Sequence, residues 1–382
     1  MHILHINFEF PPMVGGGARE AWLLYREIAR SHQVTVLCSA VAGAPAEEMM
    51  DGIRVIRCPV WKAWSGLGNS TPLSLLSYMP SAVFQLLKRR KEFAGVDIIN
   101  SWFVVPGGWV GLQASRILGV PQLITLCGAD IYDPVRRFGP NHSRAMCAIT
   151  RSLLNSGACL TAISSDLATR ANKDIGCPQP ITIIPMGIEL GETEPSPWRE
   201  APKPFRFVTA CRLVHRKGLL AVLEAFARIR GDVVWHLIGD GPERDKLRTR
   251  AQELGLAERV VFEGFVTEER RNKILHLADA FILCSFHEGQ CQAILEAAAC
   301  GLPVITGNVG GQTDLIRHEK NGLLVEAGNS ELIALAMTRM MENPQERRSM
   351  REAILDDVQR YSIDNTAKAY ILELEKTAAT KI

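Results

Sequence analysis

Short apolar runs rich in β-branched residues alternate along the chain with longer stretches whose apolar residues recur at helical spacing. In the first half the runs are "HILHINF", "VTVLCS", "IRVIRCP", "DIINSWF", "PQLITLC", "CLTAISS" and "ITIIPMG". In the second they are "FRFVTAC", "VVWHLIGD", "RVVFEGFV", "AFILCS", "LPVITG" and "NGLLVE". Strands of this kind separated by helical patterns predict parallel sheets with crossover helices, an α/β architecture in which each half builds its own doubly wound sheet. Between the halves, "ETEPSPWREAPKPF" (192–205) is polar and proline-rich, the composition of a linker.

The expected organisation is therefore a first domain over residues 1–190, a linker or hinge over 191–204 and a second domain over 205–360. A terminal segment over 361–382 keeps helical spacing through Ala367, Tyr370, Ile371 and Leu374 and can pack back on the body. A length of 382 residues suits two such domains. With 47% hydrophobic and 22% charged residues the chain reads as folded, and a formal net charge of +2 gives no global field for nucleic acid. The positive excess lies in the first half, a weak preference for an acidic partner there. Ten cysteines occur without a C-x-x-C pair, and Cys38, Cys127, Cys211 and Cys284 end apolar runs, which suggests free thiols in a reducing compartment. The N-terminus lacks a secretory pattern and no long apolar stretch occurs, so a cytoplasmic protein is expected.

Ligands of open parallel sheets bind beyond the carboxyl ends of the strands. The first strand leads into Gly15, Gly16 and Gly17 before an amphipathic helix, where backbone N–H groups and a helix N-terminus could receive a phosphate; a plain glycine turn is the alternative. Glu20 stands where a dinucleotide fingerprint needs its third glycine, and no acid ends the second strand, so NAD is disfavoured; no P-loop motif occurs. In the second half "TACRLVHRKG" places Arg212, Arg216 and Lys217 before a helix, able to neutralise a diphosphate, or simply a solvated basic loop. Metal-ligand spacings are absent from the sequence, and neither a metal nor another cofactor is expected.

"SFHEGQCQAILEAAACG" puts Glu288 in a loop and Glu296 in the second turn of a helix that starts near Cys291 and ends at Gly301. Eight positions at about 1.5 Å per helical residue separate the acids by roughly 12 Å. That exceeds the roughly 5 to 9.5 Å of a paired acid and base in glycoside hydrolysis. It suits the two ends of a nucleotide sugar, with hexose hydroxyls at Glu288, diphosphate at the helix amides and ribose at Glu296. Taken singly, either residue could equally be a solvated surface acid.

The E-x7-E spacing of Glu288 and Glu296, followed by "GLPVITGNVGGQTDLI", together with "CRLVHRKG", "GDGPERDKLRTRAQELGLAERVVFEGFV", "PPMVGGG" and "IIPMGIE", resembles family 4 of the glycosyltransferases over essentially the whole chain. The resemblance implies a GT-B fold, two facing Rossmann-like doubly wound domains with a cleft between them. The implied activity is transfer of a sugar from a nucleoside-diphosphate-sugar donor to an acceptor hydroxyl with retained configuration, in cell-surface polysaccharide or glycoconjugate synthesis. It further implies that Arg212 and Lys217 hold the donor diphosphate, approached by Gly16 or Gly17. Glu288 would hold sugar hydroxyls, and Gly289, Gln290, Cys291 and Gln292 would line the donor. Glu296 would hold the ribose, and Val266 would meet the base through its main chain. Cys127 stands where many relatives carry a histidine, while Gly128 and Asp130 keep the family pattern, so this loop is expected on the sugar or acceptor side. The terminal helix after Tyr361 would cross back to the first domain.

A GT-B epimerase or phosphorylase and a non-catalytic nucleotide-sugar-binding protein are the alternatives. An epimerase would need further placed acids and bases, a glycogen-type phosphorylase a longer chain with a pyridoxal-binding lysine, and a binding protein would lose the sugar-side loop. For the acceptor, a glycan, a lipid-linked glycan and a small molecule all stay open. Trp61 and Trp64 could line a groove or pack inside. Residues 80–91 end in Lys88, Arg89, Arg90 and Lys91, a basic helix end that could rest on the inner face of an anionic membrane or merely stabilise its own helix.

Overall fold

The computed structural model describes residues 1–13, 15–61, 63, 72–134, 139–191 and 195–380. Trp64, residues 192–194 and the final two residues, on which some expectations fell, lie outside the described residues. The chain divides into two units, Met1–Gly187 with Ile363–Ile382, and Ile188–Ser362.

The first unit contains β1 (His2–Ile6), α1 (Gly16–Ile28), β2 (Gln33–Ser39), β3 (Glu47–Met50), β4 (Ile53–Cys58), α2 (Pro72–Lys88), β5 (Ile98–Trp102), α3 (Trp109–Leu118), β6 (Gln122–Leu126), α4 (Arg144–Leu154), β7 (Cys159–Ala162), α5 (Ser165–Arg170) and β8 (Thr182–Ile183). They form one sheet in the order β3-β4-β2-β1-β5-β6-β7-β8. Every position of β1, β5 and β6 is buried, which is why these segments read as unbroken apolar runs. β3 differs: it alternates exposed and half-buried residues and pairs antiparallel with β4. A charged strand at the sheet edge carries no apolar run, and the hydrophobic pattern passes over it.

The second unit contains β9 (Phe205–Ala210), α6 (Leu219–Phe226), β10 (Val233–Ile238), α7 (Arg244–Glu253), β11 (Val260–Gly264), α8 (Glu268–His276), β12 (Ala280–Leu283), α9 (Gln292–Ala299), β13 (Val304–Gly307), α10 (Gln312–Leu315), β14 (Gly322–Val325), α11 (Ser330–Glu342) and α12 (Pro344–Val358). Its sheet is parallel throughout, in the order β11-β10-β9-β12-β13-β14. After Ser362 the chain forms α13 (Ile363–Ala378), which belongs to the first unit. Ala367, Tyr370 and Leu374 enter that unit's core beside Trp102 and Ile163, and the Tyr370 hydroxyl lies 3.4 Å from Thr125 Oγ1.

Composition marks 191–204 as a linker, yet residues 195–204 lie against the second unit. Ser196 is buried and its N–H donates to the Cys300 carbonyl at 2.8 Å. The buried guanidinium of Arg347 donates to the carbonyls of Arg199 at 2.9 Å and Glu200 at 2.8 Å, and Arg199 pairs with Asp279. A buried arginine needs acceptors, and this polar segment supplies them.

Both sheets reverse strand order beside their first strand, between β1 and β5 and between β9 and β12. The loops leaving such a switch point diverge and leave room for a ligand.

Candidate active site

In the second unit the two switch-point loops are Cys211–Gly218, after β9, and Cys284–Cys291, after β12. Backbone bonds fix the first: Leu213 N–H donates to the Asp240 carbonyl and Glu243 N–H to the Leu213 carbonyl, each at 3.0 Å. His215–Lys217 form one 3-10 turn that stops at Gly218, whose φ is +67°. A Cβ there would overlap the Cys284 carbonyl oxygen, so only glycine lets the loop pass this close to β12 and enter α6. Phe286 N–H then donates to the Arg216 carbonyl at 2.8 Å, tying the loops together.

This bracing brings Lys217 Nζ to 2.6 Å from Glu288 Oε1, with the side chains 12% and 7% exposed. Burial opposes the charge on Glu288, but the positive charges of Lys217 and Arg216 and the hydrogen bond from Lys217 outweigh it and hold the carboxyl below its ordinary range. Burial likewise opposes the charge on Lys217, and Glu288 overcomes it and raises the ammonium. The sequence suggests separate tasks for these residues; the structure joins them as one buried ion pair. Glu288 is no solvated loop acid.

The Glu288 main chain is also held. Gly311 N–H donates to its carbonyl at 2.9 Å, and Gly310, at φ +59°, lies so close that a Cβ would overlap the same oxygen. Beyond Glu288, Gly289 and Gln290 are partly exposed and lead to Cys291, the N-cap residue of α9. Burial pushes the Cys291 thiol up to about 12 at the N-terminus of α9. Gln292 opens α9 with its Nε2 atom buried and lacking a hydrogen-bond partner. Glu296 lies in the second turn, 3.4 Å from Arg271 Nη1 of α8. Val266 sits between β11 and α8, partly buried on the core, and Arg212 occupies the exposed part of the β9 loop. Arg271 and the Gly310–Gly311 turn were not singled out from sequence for these contacts. A glycine pair directly after a strand was the available signal for the turn; nothing local marks Arg271.

In the first unit Gly16 and Gly17 open α1. A Cβ at Gly17 would stand 3.2 Å from Phe103 Cζ and 3.4 Å from Glu9 Oε2, and one at Gly16 would stand 3.5 Å from Glu20 Oε1. At Gly17 a Cβ would be a tight fit, so the glycine keeps the start of α1 close to Phe103 and Glu9. The Asp130 carboxylate accepts N–H bonds from Gly128 at 2.7 Å, Val104 at 3.0 Å and Cys127 at 3.2 Å. It thereby braces the loop after β6 against the segment after β5, a backbone role the sequence did not reveal. Burial, with Asp130 beside it, pushes the Cys127 thiol well above its usual value, and its Sγ points to the Thr125 carbonyl at 3.4 Å. All ten cysteines are free; Cys38 and Cys284 are buried, Cys127 and Cys211 only partly. Trp61 is 70% exposed and packs in no core.

Two Rossmann-like α/β units, each with a mainly parallel sheet and a switch point, are the GT-B fold that glycosyltransferase structures share. Residues 192–356 match the family described as glycosyl transferases group 1, and residues 15–187 match the glycosyl transferase 4-like domain. The chain belongs to this glycosyltransferase family and is an enzyme of that kind. It is 27% identical over 370 residues to a GDP-mannose-dependent alpha-(1-6)-phosphatidylinositol monomannoside mannosyltransferase of Mycobacterium tuberculosis, covering 89% of each chain. Among solved structures, sucrose-phosphate synthase from Thermosynechococcus elongatus superposes with a TM-score of 0.86 at 21% identity, over 99% of this chain and 100% of that one. Anabaena HepE, solved in complex with UDP-glucose, gives 0.77 at 21% identity over 98% and 100%.

Proposed function

We propose that the second unit binds a nucleoside-diphosphate sugar and that the enzyme transfers the sugar, with retention of configuration, to a hydroxyl of a sugar-containing acceptor in glycoconjugate or cell-surface polysaccharide synthesis. The observation that carries this reading is the buried Lys217–Glu288 pair at the β9/β12 switch point. The donor diphosphate takes Lys217 and Arg212 as its counter-charges beside the N-terminus of α9. The Glu288 carboxylate, released from the lysine, then accepts hydrogen bonds from sugar hydroxyls. Glu296, steadied by Arg271, accepts the ribose hydroxyls. Gly289 to Gln292 line the sugar and phosphates, and the main chain at Val266 meets the base. A nucleotide-sugar donor is also what the names of HepE with UDP-glucose and of the GDP-mannose-dependent relative carry.

Negative charge develops on the departing diphosphate, so the loop cations act where the transition state needs them, and the proposal calls for no metal. The acceptor oxygen bonds to the anomeric carbon on the face the diphosphate leaves. The bond from that carbon to the phosphate oxygen breaks, and the acceptor proton passes to the leaving phosphate. In the first unit, the Cys127–Gly128 loop, held by Asp130, serves the acceptor side.

A thermal-shift screen against UDP-, GDP- and ADP-sugars, followed by NMR of the product anomer with and without chelator, tests the reading. One donor class should raise Tm, because a ligand of the native state stabilises it by mass action. Transfer should continue in chelator and retain configuration. An inverted product, or an isomerised donor formed without acceptor, would overturn it.

A further inference from the structure

Helix α2 is apolar on its outer face as well as on the inner one that meets the core. Its inner face, Tyr78, Ala82 and Leu86, is fully buried, with the Tyr78 hydroxyl donating to the Leu37 carbonyl at 2.8 Å. The opposite face consists of Leu73, Leu76, Pro80, Phe84 and Leu87, all exposed. At about 100° per residue these five fall within a stripe about 80° wide, pointing away from the core. No charged residue occurs from Pro72 to Leu87. The backbone N–H of Trp61 donates to Ser77 Oγ at 2.9 Å, which sets this exposed tryptophan next to α2.

At its C-terminal end the stripe meets four cations in a row. Arg89 is engaged, by Glu47 at 2.7 Å and Glu92 at 3.3 Å, and those acids are further neutralised by Arg54. Lys88, Arg90 and Lys91 are exposed and have no ion pair among the described residues. No acid lies between Pro72 and Lys91, so a second copy of this face would bring the same cations and no counter-charge. A bilayer with anionic headgroups supplies both things the face lacks: an apolar layer for the leucines and phenylalanine, and negative charge for the three cations. Tryptophan is the side chain that favours the boundary between them. Among the described residues no helix is long and apolar enough to cross a membrane, so the contact is one of lying on the surface.

We propose that the outer face of α2, with Trp61 and the Lys88–Lys91 end, docks the enzyme on an anionic lipid surface. The proposal is independent of which donor the second unit binds.

Sedimentation of the full chain with phosphatidylcholine vesicles, with and without phosphatidylglycerol, tests it. Binding should require the anionic lipid and weaken at least tenfold between low and high salt. A Lys88→Gln/Arg90→Gln/Lys91→Gln variant should lose about fivefold per cation, roughly a hundredfold together. A Phe84→Gln/Leu87→Gln variant should lose at least tenfold. Both substitute exposed side chains, so Tm should hold, and light scattering should show the same mass for all three proteins. Absent binding, equal binding to neutral vesicles, or unchanged affinity in either variant would overturn the proposal. So would a dimer that the Phe84→Gln/Leu87→Gln variant splits without any vesicle binding, which would make the face a self-contact.

Discussion

Breaking the Lys217–Glu288 pair from one side leaves a charge in a site where its partner was 2.6 Å away and both side chains were nearly covered. Removing one partner of a buried pair costs about 3–5 kcal/mol, and the nearby Arg216 puts Lys217→Met toward the lower end. Replacing both partners, in Lys217→Met/Glu288→Gln, removes the orphaned charge and should return the protein to within about 2 kcal/mol of wild type. The expected coupling, the two single losses less that of the double variant, is therefore about 4 kcal/mol or more, read from urea unfolding of the four proteins at pH 7. The coupling has a defined pH window. The Glu288 carboxyl is held below its ordinary 4.5, so the stabilisation is present above about pH 4.5 and disappears as pH falls through the lowered value. Lys217 is raised above 10.5, so alkali removes it only beyond that. The double variant should be stable yet inactive, and no donor should raise its Tm. Single variants that cost less than about 1 kcal/mol and simply add would show a solvent-screened pair and refute the reasoning.

Three further outcomes follow from the geometry. His5 is fully buried between Tyr25, 4.1 Å ring to ring, and Trp102, and burial, against the opposing effect of Asn100, lowers it to about 3. From pH 6.5 down to about 3 the unfolded chain takes up a proton the native one refuses, so stability should fall by about 1.4 kcal/mol per pH unit from this residue. His5→Phe should flatten that slope in urea titrations between pH 5 and 7.5, and an unchanged slope would count against it. Gly218→Ala combines a positive φ with overlap on the Cys284 carbonyl; we expect a loss of about 2 kcal/mol or more, with donor-induced stabilisation lost as well. Asp130→Ala leaves three backbone N–H groups unpaired and should cost about 1–3 kcal/mol, whereas Asp130→Asn, which keeps an acceptor, should recover part of it in thermal unfolding.

The strands were legible because parallel strands are covered on both faces and so appear as unbroken apolar runs; β1 and β9 lie within the segments that pattern selects. The edge strand β3 was not, since half its residues face water. The start of α9 at Gln292 was readable from the loop, apolar repeat and closing glycine around it. What a linear pattern does not contain is the meeting of loops. That Lys217 reaches Glu288, 71 positions away, follows from strand order, and the fit of Gly218 beneath Cys284 appears only once β9 and β12 are neighbours. Asp130 shows the same limit from the other direction. An acid in a strand-end loop reads as ligand chemistry until its backbone partners are seen.

The position of α13 has a consequence for biosynthesis. Ile188 N–H donates to the Tyr361 carbonyl at 2.9 Å, so the second unit begins and ends at one place and is complete once Ser362 has been made. The first unit's main segment precedes the second unit but lacks Ala367, Tyr370 and Leu374 until α13 has been made. Domains generally fold from the N-terminus during synthesis. Here the order is inverted: the unit translated first closes its core last, and on the ribosome it waits with an open apolar socket for a helix made more than 170 residues later.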